Sequence, residues 1–167
     1  MTPMKEIAVV LHNIRSLYNV GSIFRTADAA GVKKIYLCGI TPTPTDRFGK
    51  LRPQFAKVSL GAERAVAWEK SRATGKLLNE LKREGYKIFA VEQSQKSIPY
   101  YKIKTRGVMT RHNTSRVVLV LGNEVRGLPE SILKKSDKIL EIPMHGRKES
   151  LNVAVAFGIV VFESIKK

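Results

Sequence analysis

The sequence predicts an α/β domain with a mainly parallel sheet and helices on both of its faces. Three observations carry that expectation. Five short runs rich in β-branched and aliphatic residues recur along the chain, each is apolar almost without interruption, and helix-like stretches stand between them. A strand wetted on one face alternates apolar and polar residues, whereas a strand covered on both faces has no reason to. Strands separated by helices are joined by crossovers that return the chain in the same direction.

The first strand is expected over residues 7–11, Ile-Ala-Val-Val-Leu. A helix over 20–30 follows, stopped by Gly31. Asn19 is placed as its N-cap, Val20, Ile23, Phe24 and Ala27 form its inward face, and Ser22, Arg25 and Asp28 lie outside. The second strand occupies 34–37. Residues 41–53 hold three of the seven prolines with Arg47, Lys50 and Arg52, the composition of a basic surface loop. A short strand over 65–68 precedes a helix over 72–84 closed by Gly85, and a strand over 87–91 comes next. From 93 to 123 there is no acidic residue, and Lys96, Lys102, Lys104, Arg106, Arg111 and Arg116 gather beside Tyr100 and Tyr101. Such cations suit phosphates and such tyrosines suit unpaired bases; a solvated loop in a basic protein is the plainer alternative. Strands over 116–121 and 138–142 flank a helix over 129–135. The final helix, 153–162, is apolar or glycine throughout and needs cover all round. Ala154 and Gly158, four apart, permit a close backbone approach on a side the sheet does not reach, which predicts a homodimer, with a central helix in a monomer as the plain alternative.

The 167 residues suffice for one core, so a single domain over 1–167 is expected. Lys and Arg number 30 against 14 Asp and Glu, a net charge of +16, while 43% of residues are hydrophobic. The apolar share excludes a disordered basic tail, and the charge calls for a polyanionic partner, with nucleic acid favoured over a membrane surface. Cys38, the one cysteine, excludes an internal disulfide and a cysteine zinc site, and His12, His112 and His145 lack metal-ligand spacing, so no metal is expected. Neither G-x-G-x-x-G nor G-x-x-x-x-G-K-[ST] occurs. No apolar run reaches the roughly 18 residues of a membrane span and no leader is evident, which predicts a cytoplasmic protein.

Three constellations sit at strand ends or at the helix starts that follow, where open parallel sheets bind ligands. The first runs from Asn19 to Arg25; an Arg25 to Asp28 surface pair is its plain alternative. In the second, Gly122 to Gly127, glycine leaves strand-end backbone uncovered and Glu124 adds a carboxylate, although a tight turn explains the glycines equally well. The third runs from Ile142 to Asn152. There Ser150 is placed as the cap of the final helix, and Asn152, in its first turn, needs partners for its amide.

Taken together in this order, the three closely resemble the motifs of the SpoU/TrmH branch of the SPOUT superfamily of RNA methyltransferases. Asn19 and Arg25 match the first motif, Gly122-Asn-Glu124 through Gly127 the second, and Ile142-Pro-Met144 through Ser150-Leu-Asn152 the third. The resemblance spans nearly the whole chain, which looks like a catalytic domain without added RNA-binding modules. It implies methyl transfer from S-adenosylmethionine to a ribose 2′-hydroxyl of RNA, and a C-terminal trefoil knot whose loops hold the cofactor. By position Val91, Leu121, Gly122, Ile142, Met144 and Leu151 would line that pocket. Arg25, with Asn19, Glu124, Ser150 and Asn152 around it, would serve the reaction, the first-motif residues meeting the cofactor of the other subunit. A guanidinium is a poor base, so Arg25 reads chiefly as phosphate anchor and alkoxide stabiliser, with a base role open. Arg47, Lys50, Arg52, Lys102, Lys104 and Arg106 would contact RNA, and tRNA is favoured over rRNA. A non-catalytic RNA-binding or ribosome-assembly module, and a methyltransferase acting on a base nitrogen, are the competing readings.

Overall fold

In the computed structural model of the protein, which describes residues 4–103 and 114–166, seven parallel strands form one sheet in the order β3-β2-β1-β6-β4-β7-β5. The strands are β1 (Met4–His12), β2 (Lys34–Cys38), β3 (Ala67–Ser71), β4 (Lys87–Val91), β5 (Ile98–Pro99), β6 (Thr114–Leu121) and β7 (Lys138–Glu141). The helices are α1 (Leu17–Ala29), α2 (Pro53–Ser59), α3 (Ala62–Ala65), α4 (Thr74–Arg83), α5 (Glu130–Leu133) and α6 (Val153–Ile165). Lys104, Arg106, Arg111 and His112 lie outside the described residues.

The uninterrupted apolar runs are explained by two cores, one on each face. Val9, Leu11, Ile35, Leu37, Leu119 and Leu121 point to one side, where Val20, Ile23, Phe24 and Ala27 of α1, Phe55 of α2 and Phe157, Val160 and Val161 of α6 cover them. Ala8, Val10, Cys38, Ile88, Ala90, Val118 and Val120 point to the other, against Leu77, Leu78 and Leu81 of α4 and Ile132 of α5. Successive side chains thus serve opposite layers. Phe24 and Phe55 lock α1 to α2 edge to face, with ring centroids 5.2 Å apart. Burial pushes the Cys38 thiol up to about 11, as suits a packing residue.

Several sequence expectations need correction. The edge strand lies at Ala67–Ser71 rather than 65–68, because α3 occupies Ala62–Ala65; it is largely exposed, with Glu69 and Lys70 guarding the sheet edge. Pro53, read as a loop residue, opens α2, where its missing N–H costs nothing. The segment 41–53 is not wholly a surface loop: the buried Thr41 hydroxyl donates to Leu11 O at 2.8 Å and accepts from Ile14 N at 3.0 Å. Ser16, not Asn19, caps α1, its Oγ accepting from Asn19 N at 3.2 Å. Asn152, not Ser150, caps α6. Ala154 packs on the core, and a Cβ at Gly158 would meet the Thr26 methyl of α1 at 3.8 Å, so this small-residue stripe seats α6 on α1 of the same chain. The apolar face left exposed on α6 carries Val155 and Phe162 instead.

Register decides where function is possible. Leu11 pairs with Leu121, Leu121 with Val91, and Val91 with Leu140, so four central strands end level with one another. The segments that leave them are gathered along one rim.

Candidate active site at the strand exits

Beyond Leu121 the chain folds into a turn that its own side chains hold. Asn123 Oδ1 accepts from the N–H groups of Val125 and Arg126, both at 2.9 Å, and Gly127 N donates to Asn123 O at 2.9 Å. Asn123 Nδ2 donates to Asn13 O at 2.8 Å, tying the turn to the end of β1. Gly122 lies so close to the return strand of the turn that a Cβ would stand 2.6 Å from Gly127 C and 2.7 Å from Leu128 N. Gly127 has φ +64°, and there a Cβ would also meet Glu92 Oε2, which accepts from Leu128 N at 2.8 Å. Glu92 thus clamps the far end of the turn. Sequence reasoning missed it because the pairing of β4 with β6 brings it there.

Glu124 reaches the start of α1. Its two oxygens accept from Arg15 N at 2.9 Å, Ser16 N at 3.0 Å and Asn19 Nδ2 at 3.1 Å. Burial pushes the carboxyl up, but the backbone donors, assisted by the Asn19 amide, outweigh it and hold Glu124 below the usual carboxylate range. Asn19 Oδ1 accepts from Asn152 Nδ2 at 3.0 Å, and Asn152 Oδ1 caps the N–H groups of Ala154 and Val155 at 2.9 and 3.4 Å. The three constellations are therefore joined through Glu124, Asn19 and Asn152. This answers the amide of Asn152 and explains why Asn19 does not cap α1: its amide is committed across the site.

The cleft enclosed at the rim is lined by all six residues placed in the cofactor pocket, Val91, Leu121, Gly122, Ile142, Met144 and Leu151, and by Glu124 and Ser150. Glu92 and Glu141 bring the lining carboxylates to three, and no Lys or Arg lines it. Apolar walls with acidic groups fit a flat heteroaromatic ring attached to a cationic centre. The S-adenosyl sulfonium has that chemistry, with Val91, Leu121, Ile142, Met144 and Leu151 available to the ring and the carboxylates to the positive charge. Among the described residues no cluster of His, Cys, Asp and Glu could hold a metal ion, and no helix is long and apolar enough to cross a membrane.

Arg25 stands apart. It is exposed on α1, does not line the cleft of its own chain, and makes no hydrogen bond or ion pair among the described residues, so the Asp28 pair is not formed. Of the expected RNA contacts, Arg47 and Lys50 are exposed at a loop tip, with Arg47 over the ring of the equally exposed Phe48. Arg52 instead donates from Nε to Thr43 O at 3.1 Å, bracing the loop. Lys102 and Tyr101 are exposed, while Tyr100 packs on the core and is less free to stack than expected.

The chain resembles known proteins over nearly its whole length. It is 31% identical over 160 residues to the tRNA (guanosine(18)-2′-O)-methyltransferase of Aquifex aeolicus, covering 96% of this chain and 69% of that protein. The AdoMet-bound rRNA methyltransferase from Sinorhizobium meliloti superposes with TM-score 0.83 at 30% identity, covering 98% of this chain and 57% of that one. A structure solved for the 2-OH methylation of C/U34 on tRNA superposes with TM-score 0.76 at 28% identity, covering 97% of this chain and 95% of that one. Of its 23S rRNA 2′-O-methyltransferase relatives from Xanthomonas the chain spans 59% of the length. The model of the SpoU rRNA methylase family matches residues 6–162. With the three motifs joined at one cleft and this match across the fold, the chain belongs to the SpoU rRNA methylase family.

Proposed function

We propose that this protein transfers the methyl group of S-adenosylmethionine to a ribose 2′-hydroxyl of RNA. The observation that carries the reading is the acidic, apolar-walled cleft at the strand exits, built from the three motifs and held by the Glu124, Asn19 and Asn152 tie. The cofactor supplies an activated methyl group. The chain's own part is to hold that group and to lower the cost of a negative charge on the ribose oxygen. Glu124 does not act as the base, since its oxygens are engaged by three donors. It fixes α1 relative to the cleft. Arg25, whose guanidinium is unengaged, anchors a neighbouring phosphate and donates to the 2′-oxygen as the hydroxyl proton passes to solvent water and negative charge develops on that oxygen. Ser150, exposed at the cleft, and Asn152 shape the approach.

The working unit in this reading is a homodimer. Val155 and Phe162 of α6 and Tyr18 of α1 are 51%, 45% and 56% exposed, an apolar surface that a second copy would cover. Arg25 of one subunit would then serve the cleft of the other, consistent with its absence from its own. The substrate is tRNA, supported by the resemblance to the Aquifex enzyme and to the structure solved for 2-OH methylation on tRNA. Arg47, Lys50 and Lys102 contribute RNA contacts, the compartment is the cytoplasm, and the C-terminal segments are threaded in the trefoil knot that the resemblance implies. Calorimetric titration with S-adenosylmethionine, followed by transfer of labelled methyl to tRNA and to rRNA fragments, tests the reading. Binding at micromolar concentration with label in tRNA supports it; no binding, or label confined to rRNA, overturns the corresponding claim.

A further inference from the structure

A further cleft adjoins the cofactor cleft, a second one adjoins that, and both carry the opposite charge. The first is walled by Arg15, Arg126, Ile40, Val125 and Pro129, the second by Arg72, Lys135, Gly75 and Ser131. His12, Asn13 and Pro129 line both, so the two share a border and together make up a basic groove. Asn123, Val125 and Gly127 line both the first of these and the cofactor cleft, so the 122–127 turn is the shared wall.

The groove is lined by four Lys or Arg side chains and no carboxylate, whereas the cofactor cleft is lined by three carboxylates and no Lys or Arg. A basic composition alone would not sort charges between neighbouring grooves in this way. None of the ion pairs among the described residues engages Arg15, Arg72, Arg126 or Lys135. The Lys135 ammonium donates to the neutral Asn79 Oδ1 at 3.0 Å. Their charge is left for an outside anion.

The floor is fixed and uncharged. Asn13 Oδ1 accepts from Ile40 N at 3.0 Å, which makes its Nδ2 the donor to His12 Nε2 at 3.2 Å and leaves the His12 proton on Nδ1, facing Thr74 Oγ1 at 2.8 Å. Burial lowers the His12 pKa, in keeping with a neutral ring. On the rim Ile40 and Val125 are 66% and 78% exposed, apolar surface of the kind a base can lie against.

We propose that this groove holds the phosphate backbone of the RNA strand flanking the target nucleotide, with Arg15 and Arg126 nearest the reacting ribose and Arg72 and Lys135 on the next phosphates. The proposal rests on the reading of the protein as an RNA methyltransferase and extends it with a path for the substrate. Neutralised phosphates release counterions, so the groove sets the salt dependence of binding.

The test is fluorescence anisotropy of labelled tRNA across a salt series with the full-length protein. It compares Arg72→Ala/Lys135→Ala with a control, Lys82→Ala/Arg83→Ala, that removes equal charge at the other end of α4. The groove variant is expected to lose about 1.4 from the log–log salt slope, roughly 0.7 for each single-strand phosphate contact. The control is expected to keep the wild-type slope. An unchanged slope in the groove variant, or equal loss in both, overturns the proposal. So does displacement of tRNA by a mononucleotide at matched phosphate concentration, which would assign the groove to a small anion. S-adenosylmethionine titration of the same proteins separates the two claims: wild type that fails to bind it refutes the methyltransferase reading, while the salt slopes still decide the groove.

Discussion

Gly122→Ala places one methyl group where the structure has no room for it. The new Cβ would stand 2.6 Å from Gly127 C, 2.7 Å from Gly127 O and 2.7 Å from Leu128 N. All three are backbone atoms, so no side chain can rotate away and the turn itself has to open. Opening it strains the Gly127 N to Asn123 O bond and the clamp of Glu92 on Leu128 N. Overpacking of this kind costs about 1–3 kcal/mol, which, if taken from the cofactor-binding conformation, is about fivefold to more than a hundredfold in affinity. The comparison is Gly146→Ala, also in the rim segments, where a Cβ would have nothing within 4 Å. Calorimetric titration with S-adenosylmethionine and urea denaturation should show weakened binding and a lowered midpoint for Gly122→Ala, and neither for Gly146→Ala. Wild-type affinity and midpoint in Gly122→Ala would refute the tight turn as the wall of the cofactor site.

Arg25→Ala should lower single-turnover methyl transfer by at least about a hundredfold while leaving cofactor affinity and stability unchanged. Arg25→Lys should fail too, because an ammonium lacks the planar fork; near-normal transfer by either removes Arg25 from the reaction. Glu124→Gln swaps one acceptor for a donor facing N–H groups and should cost about 1–3 kcal/mol near neutral pH in urea denaturation. Since the Glu124 pKa is lower folded than unfolded, its contribution is present above the unfolded carboxylate pKa and is lost as pH falls through the folded value, so the two proteins should converge in acid. Phe162→Asp, on the exposed face of α6, should yield a folded monomer by sedimentation, with methyl transfer lost and the melting profile of the monomer cooperative. A dimer that survives the change would place the interface elsewhere.

The five strands were legible from one signal, near-continuous apolar runs that end at glycine or polar residues, whereas the six residues expected in the cofactor pocket came from the motif resemblance, and the sheet brings them to one cleft. The caps were not. Ser16 and Asn19, and likewise Ser150 and Asn152, offer competing cap residues within three positions of each other, and the choice falls to long-range partners. Asn19 is drawn to Glu124 and Asn152, which leaves Ser16 to cap α1. Glu92 and Asn13 look like ordinary polar residues after a strand until the sheet order sets them beside the 122–128 turn. The apolar helix misled in another way. Its composition announced an extra covered face, but Ala154 and Gly158 serve α1 within the chain, and Val155 and Phe162 are the residues left bare. Pro53 shows the same limit, since a proline after a proline-rich loop reads as more loop unless the next turn's burial, here Phe55, is seen.

The central claim is that the methyl group goes to a ribose oxygen. The most direct test is to incubate the protein with tRNA and methyl-labelled S-adenosylmethionine, digest the RNA to nucleosides, and cleave base from sugar. The label should stay with the sugar, at one nucleotide position. Label released with the base, or no label transferred by a protein that binds the cofactor, would contradict it.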